Sequence, residues 1–268
     1  MADTDTACDM NDASPSAAQI PSTAPIPALG PVDAVIFDMD GLMFDTERLW
    51  SQQWAPALAK FGLVEVAGLA DAARGTTGDA ACRAIRSFYG DAVDAEAIFE
   101  EYKRLAAIRF QSPVPKKPGL DRLLDWLADR GIPMAVASSS FENVVRTNLR
   151  NAGIEGRFAQ VVSGGMVARS KPAPDIFLEA ARRLGSLPAK TLVLEDSYAG
   201  VRAGVAGGFV TVMVPDLLPP TDEMRSIATA ICASLDEVRA RLEAAESARS
   251  ASAPAPLDSS CHETAASE

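Results

Sequence analysis

Histidine is almost missing from this chain of 268 residues: His262 is the one present. That excludes histidine-based phosphoryl transfer and histidine-rich dinuclear metal sites. The four cysteines, Cys8, Cys82, Cys232 and Cys261, are far apart, with no CxxC or Cys/His spacing for zinc. None is followed by arginine six residues on, which excludes a C-x5-R loop, and reduced thiols in a cytoplasm fit them best. There is no G-x-S-x-G elbow and no G-x-x-x-x-G-K-[ST] loop. No apolar run reaches the ~18 residues that cross a bilayer. The first basic residue is Arg48, so neither a positive secretory n-region nor an arginine-rich presequence is seen. Formal charge is -11, and no basic stripe invites a nucleic-acid polymer. The expectation is a cytoplasmic monomer without membrane contact.

What is present is a globular middle between two thin ends. Residues 1–31 and 245–268 are rich in Ala, Ser, Thr, Pro and acidic residues and are poor in large apolar ones. Such segments bury too little surface to offset their ordering entropy, so both are expected as disordered tails. Between them, short apolar runs alternate with helical patterns. Val32–Phe37, Ile132–Ala137, Gln160–Ser163, Thr191–Leu194 and Val210–Val214 read as strands, with a weaker one at Ala228–Cys232. Ile176, Phe177, Ala180, Ala181 and Leu184 mark one apolar helix face. Strand–helix alternation predicts an α/β fold, a Rossmann-like three-layer core around a parallel sheet.

One region breaks the rhythm. Residues 47–113 carry helical periods only: a helix from Glu47 toward Phe61 kinked at Pro56, one over Asp79–Tyr89, and one marked by Ile98, Tyr102 and Leu105. An all-α cap at 47–113 is therefore expected, inserted into a core formed by 32–46 and 114–244. Leaving and rejoining beyond the first strand, it would sit over the carboxyl ends of the strands, where open α/β sheets bind ligands.

Chemistry-bearing residues fall on that edge. Asp38 ends the first strand, Asp40 follows, and Gly41 permits a turn. Ser138-Ser139-Ser140 end the second strand, Lys171 lies in "RSKPAPDIF", and Glu195-Asp196 end a later strand. Two unit charges ~4 Å apart repel by about 4 kcal/mol at an effective dielectric near 20, so clustered carboxylates need a cation. All-oxygen ligands select a hard ion, and Mg²⁺ is the usual one beside phosphate. Ser138 and Lys171 are donors placed to grip an anion next to it.

D-x-D-G-x-x-x-D-T-E at 38–47, the serine after the second strand, K-P-x-P at 171–174 and E-D-S-x-x-G at 195–200 together resemble the haloacid dehalogenase superfamily. The helical insert after the first motif is similar to the β-phosphoglucomutase-like subfamily. The resemblance covers about residues 32–244. It implies a Mg²⁺-dependent phosphatase acting on small phosphorylated metabolites: sugar, polyol or nucleotide monophosphates. By that resemblance Asp38 is the nucleophile and Asp40 the general acid and base. Asp38, the carbonyl of Asp40, Asp196 and Glu195 would hold the metal, with Glu195 as ligand or one step behind. Ser138, Ser139 and Lys171 would bind the phosphoryl group. Trp50 and Arg74 in the cap are the candidates for substrate specificity. A sugar-phosphate mutase is the same-family alternative, and a non-catalytic phosphometabolite-binding regulator the alternative of another class. Mutase members carry a histidine where Trp50 stands and Lys-Asn where Phe141-Glu142 stand, and both departures favour water as the acceptor.

Overall fold

A computed structural model describes residue 29, residues 31–73 and residues 78–252. Six strands form one parallel sheet: β1 (Ala34–Phe37), β2 (Met134–Ser138), β3 (Gln160–Ser163), β4 (Thr191–Glu195), β5 (Val210–Met213) and β6 (Ala230–Ile231), in the order β3-β2-β1-β4-β5-β6. Every residue of β1, β2 and β4 is buried, as befits central strands covered on both faces. Alternation divides their side chains. Val35, Phe37 and Val136 join one core cluster; Ile36, Ala135, Ala137 and Val193 join another on the opposite face.

Helices close each face. The first cluster takes its cover from α6 (Leu120–Asp129), α7 (Glu142–Asn151) and α11 (Leu235–Ser252), through Leu123, Leu127, Leu149 and Val238. The second takes it from α8 (Asp175–Leu184) and α9 (Tyr198–Ala206), through Ile176, Phe177, Ala180 and Ala203. A further helix, α10 (Asp222–Ile227), packs Met224 against Val201 and Met213. The result is the three-layer α/β sandwich that strand–helix alternation predicts.

Among the described residues, five helices intervene between β1 and α6: α1 (Thr46–Ser51), α2 (Trp54–Ala59), α3 (Leu69–Ala73), α4 (Asp79–Tyr89) and α5 (Ala95–Arg109). Trp54, Leu58, Leu69, Ile85, Ile98 and Phe99 give them a core cluster of their own. The two connections run side by side. Asp45 donates its amide to the Pro115 carbonyl (3.0 Å), and Lys117 donates its amide to the Met43 carbonyl (2.8 Å). The Lys117 ammonium then reaches Asp216 beyond β5 (2.5 Å) and lies 3.8 Å from Asp45.

Three details depart from the sequence reading. The first cap helix breaks at Gln52–Gln53 instead of kinking at Pro56, which falls in the first turn of α2, where no amide is needed. The Gln53 side-chain amide donates to the Leu49 carbonyl at the break (2.9 Å). Helix α11 runs to Ser252, past the expected tail boundary at 244, with Leu242 buried and Glu246 accepting from Arg130 (2.9 Å). Its Ala, Glu and Arg content suits a helix as well as a tail, and packing on α6 decides it. At the other end Leu29, expected in a tail, is fully buried against the core. The remainder of both expected tails lies outside the described residues. Among the described residues no helix is long and apolar enough to cross a membrane.

Candidate active site

The strand order reverses between β1 and β4, and the carboxyl ends at such a reversal are where open α/β sheets bind ligands. Parallel register pairs Phe37 with both Leu194 and Val136, so Asp38 emerges between Glu195 on one side and Ala137 on the other. Its amide is fixed by the Leu194 carbonyl (3.0 Å). The sheet thus brings distant acidic residues together before any side chain chooses a rotamer.

Lys171 fills the gap between them. Its ammonium donates to Asp38 Oδ1 (2.5 Å), to Glu195 Oε1 (2.6 Å) and to the Ala137 carbonyl (3.3 Å). It also lies 4.8 Å from the Phe177 ring centroid. All three charged side chains are at most 9% exposed. Burial opposes the charge on Lys171, yet Asp38 and Glu195 outweigh it and hold the proton more firmly than usual. Burial pushes the Asp38 carboxyl up to about 8; Lys171 pulls it back, while Glu195 and Asp40 add to the rise.

Glu195 is held on both sides. Its Oε2 accepts the Ser197 amide and hydroxyl, each at 2.9 Å, while Oε1 takes Lys171. The carboxylate lies against Gly200, where a Cβ would stand 1.7 Å from Oε1. Ser197 is also the N-cap of α9, accepting from the Gly200 amide (3.1 Å). The acidic pair therefore does not cap that helix.

Asp196 rests on the turn after β1. Gly41 has φ 80, and a Cβ there would come within 2.2 Å of Asp196 Oδ2. Glycine serves both the backbone conformation and the close approach. Burial, then Glu195 and Asp38, raise the Asp196 carboxyl well above its ordinary range. One oxygen each from Asp38, Glu195 and Asp196 lie within 4.8 Å of one another, a group that could hold a metal ion. With Glu195 fully engaged, Asp38 and Asp196 are the better-placed ligands. An all-carboxylate set of this kind suits a hard cation.

Asp40 has different neighbours. Ser138 Oγ (3.2 Å) and Ser140 Oγ (2.8 Å) both donate to its Oδ2, and the Ser140 amide donates to Ser138 Oγ (3.1 Å). Ser139 is exposed, with its backbone against Gly164. Three adjacent serines gave no sign of which would turn back, so Ser140 was legible only as a member of the cluster, and the hold of Ser197 on Glu195 not at all. Trp50 is half-buried in an aromatic group, 5.5 Å from Tyr102 and 5.0 Å from Phe110 by ring centroids. Glu142 is bonded to Arg146 (2.8 Å), which tempers its repulsion of anions. Arg74 lies outside the described residues.

The sequence matches the model of the family described as haloacid dehalogenase-like hydrolase over residues 32–208. The bifunctional riboflavin kinase/FMN phosphatase of Arabidopsis thaliana is 31% identical over 206 residues, 76% of this chain but 54% of that protein. The chain thus spans about half the length of that relative. The fructose-1-phosphate phosphatase YqaB of Escherichia coli is 31% identical over 180 residues, 67% of this chain and 95% of that one. A solved hydrolase of the family from Deinococcus radiodurans, with bound phosphate and sodium, superposes with a TM-score of 0.71 at 28% identity, covering 81% of this chain and 97% of the other.

Proposed function

Since the chain belongs to the haloacid dehalogenase-like hydrolases, we propose that its site hydrolyses phosphoric monoesters of small metabolites through an aspartyl-phosphate on Asp38. Relatives named for FMN and fructose 1-phosphate support a small phosphorylated substrate. The observation that carries the reading is the contrast between the two aspartates. Asp38 is buried against an ammonium, and Asp40, two residues on, is held by hydroxyls. A nucleophile and a proton carrier need such different surroundings.

The chain's own groups then divide the work. Asp38 Oδ2, the oxygen not taken by Lys171, attacks phosphorus. Both serine hydroxyls fall on Asp40 Oδ2, so Oδ1 is the atom assigned to proton transfer. It gives its proton to the leaving oxygen, then takes one from the water that cleaves the acyl-phosphate. Lys171 compensates Asp38 and offers positive charge to the transferring group, and Ser138 and Ser140 fix the position of Asp40. Glu195 orients Lys171. The grouped carboxylates of Asp38, Glu195 and Asp196 outnumber the one ammonium and leave negative charge that would repel a phosphate, and Asp38, Asp196 and the Asp40 carbonyl would hold Mg²⁺ there. Bound, that ion supplies charge neutralisation to the phosphoryl oxygens. Trp50, packed on Tyr102 and Phe110, has no group to gate a proton for a mutase.

The test follows a hexose 1-phosphate by phosphorus NMR, with Mg²⁺ and with or without the matching 1,6-bisphosphate. Free phosphate should accumulate without the bisphosphate and cease when the metal is chelated. Conversion to the 6-phosphate with little free phosphate would establish the mutase instead.

A further inference from the structure

Phe141 is 75% exposed, at the carboxyl edge of the sheet immediately after Ser140. Scattered exposed apolar residues are ordinary; the place of this one is not. Ser140 Oγ is 2.8 Å from Asp40, and successive Cα atoms are about 3.8 Å apart, which places the Phe141 backbone beside the residue that holds Asp40. Phe141 occupies the N-cap of α7 and forms no side-chain cap there. Serine, threonine, aspartate or asparagine would stabilise that position, so an aromatic residue stands where local helix physics prefers a polar one. Val144, one turn on and 39% exposed, extends the apolar surface. The adjacent charges are spent on each other: Glu142 bonds Arg146 (2.8 Å), which also reaches Glu155 (3.3 Å).

The group that departs from phosphorus must leave on the side of the acid that protonates it. Asp40 is that acid in the mechanism above, and this inference rests on that reading. The organic part of the substrate therefore emerges beside Ser140 and Phe141. We propose that Phe141 determines specificity by stacking on that part, selecting monophosphates whose leaving group carries a flat heterocyclic or aromatic ring over small polyol phosphates. A ring gains contact and desolvation against the exposed phenyl face. A second phosphate finds no unpaired cation on the first turns of α7.

The experiment compares a nucleoside 5′-monophosphate with glycerol 3-phosphate by steady-state phosphate release, for wild type, Phe141→Ala and Phe141→Tyr. Phe141 is exposed, so all three should unfold at closely similar temperatures. Wild type should favour the nucleotide in kcat/KM. In Phe141→Ala that preference should fall about fivefold, through KM rather than kcat, the low end of what stacking on one aromatic contributes. Phe141→Tyr keeps the ring and should retain the preference. An unchanged preference in Phe141→Ala, or wild-type preference for glycerol phosphate, would overturn the assignment. Absence of phosphate release from every ester by the folded wild type would refute the phosphatase reading, and this inference with it.

Discussion

Replacing Lys171 by methionine keeps most of the side-chain volume and removes one charge from between two buried carboxylates. The ammonium donates to Asp38 at 2.5 Å and to Glu195 at 2.6 Å, and Glu195 is fully buried. Removing one partner of a buried pair leaves an uncompensated charge and costs about 3–5 kcal/mol. A domain of this size loses ~2–4 °C of melting temperature per kcal/mol, so the expected drop is roughly 6–20 °C without metal. The drop should depend on pH. The folded Asp38 carboxyl is raised from 3.8 to about 8 by burial, with Lys171 working against the rise. A raised acid binds more protons folded than unfolded. Its contribution is fully present below 3.8 and is lost as pH rises through about 8. Without Lys171 the folded value rises further and the loss continues beyond about pH 8, so the variant's deficit should be larger at about pH 9 than at about pH 5. Thermal unfolding followed by circular dichroism in EDTA measures it. A deficit below about 2 °C, or one that is larger in acid, would refute the charge balance described for the site.

Two further outcomes follow from the geometry. Gly200→Ala places a Cβ 1.7 Å from Glu195 Oε1, which must displace the carboxylate from Lys171; kcat should fall about a hundredfold with the fold retained, and near-normal turnover would contradict the role given to Glu195. In the cap, hydrogen bonds from Arg104 and Lys60 lower the Glu101 carboxyl to about 2. Its stabilisation is present above 4.5 and lost as pH falls through about 2, so Glu101→Gln should flatten the acid titration of Trp50 and Trp54 fluorescence in that window, and identical curves for the two proteins would count against it.

Much of this was legible in the sequence because a parallel sheet turns one-dimensional spacing into a shared edge. Asp38, Ser138, Glu195 and Asp196 each end or follow a strand whose apolar run is unmistakable, so their convergence follows once the strands are parallel. The helix expected over Asp79–Tyr89 forms with those bounds. What was not legible depends on side-chain direction after the chain leaves the strand. Ser140 turns back to Asp40 while Ser139 faces solvent, and no pattern distinguishes them. Ser197 reads as an ordinary helix cap, yet its amide and hydroxyl also hold Glu195. The extent of α11 was hidden because alanine, glutamate and serine suit a helix and a tail alike, and only its packing on α6 separates them.

The central claim is that Asp38 carries the phosphoryl group. The direct measurement incubates wild type and Asp38→Asn with substrate and Mg²⁺, quenches in acid, and maps phosphate to peptides by mass spectrometry. In the wild type, phosphate should map to the peptide containing Asp38. The variant should carry none, remain folded and release no phosphate. Undiminished turnover by Asp38→Asn, or phosphate on another residue, would contradict it.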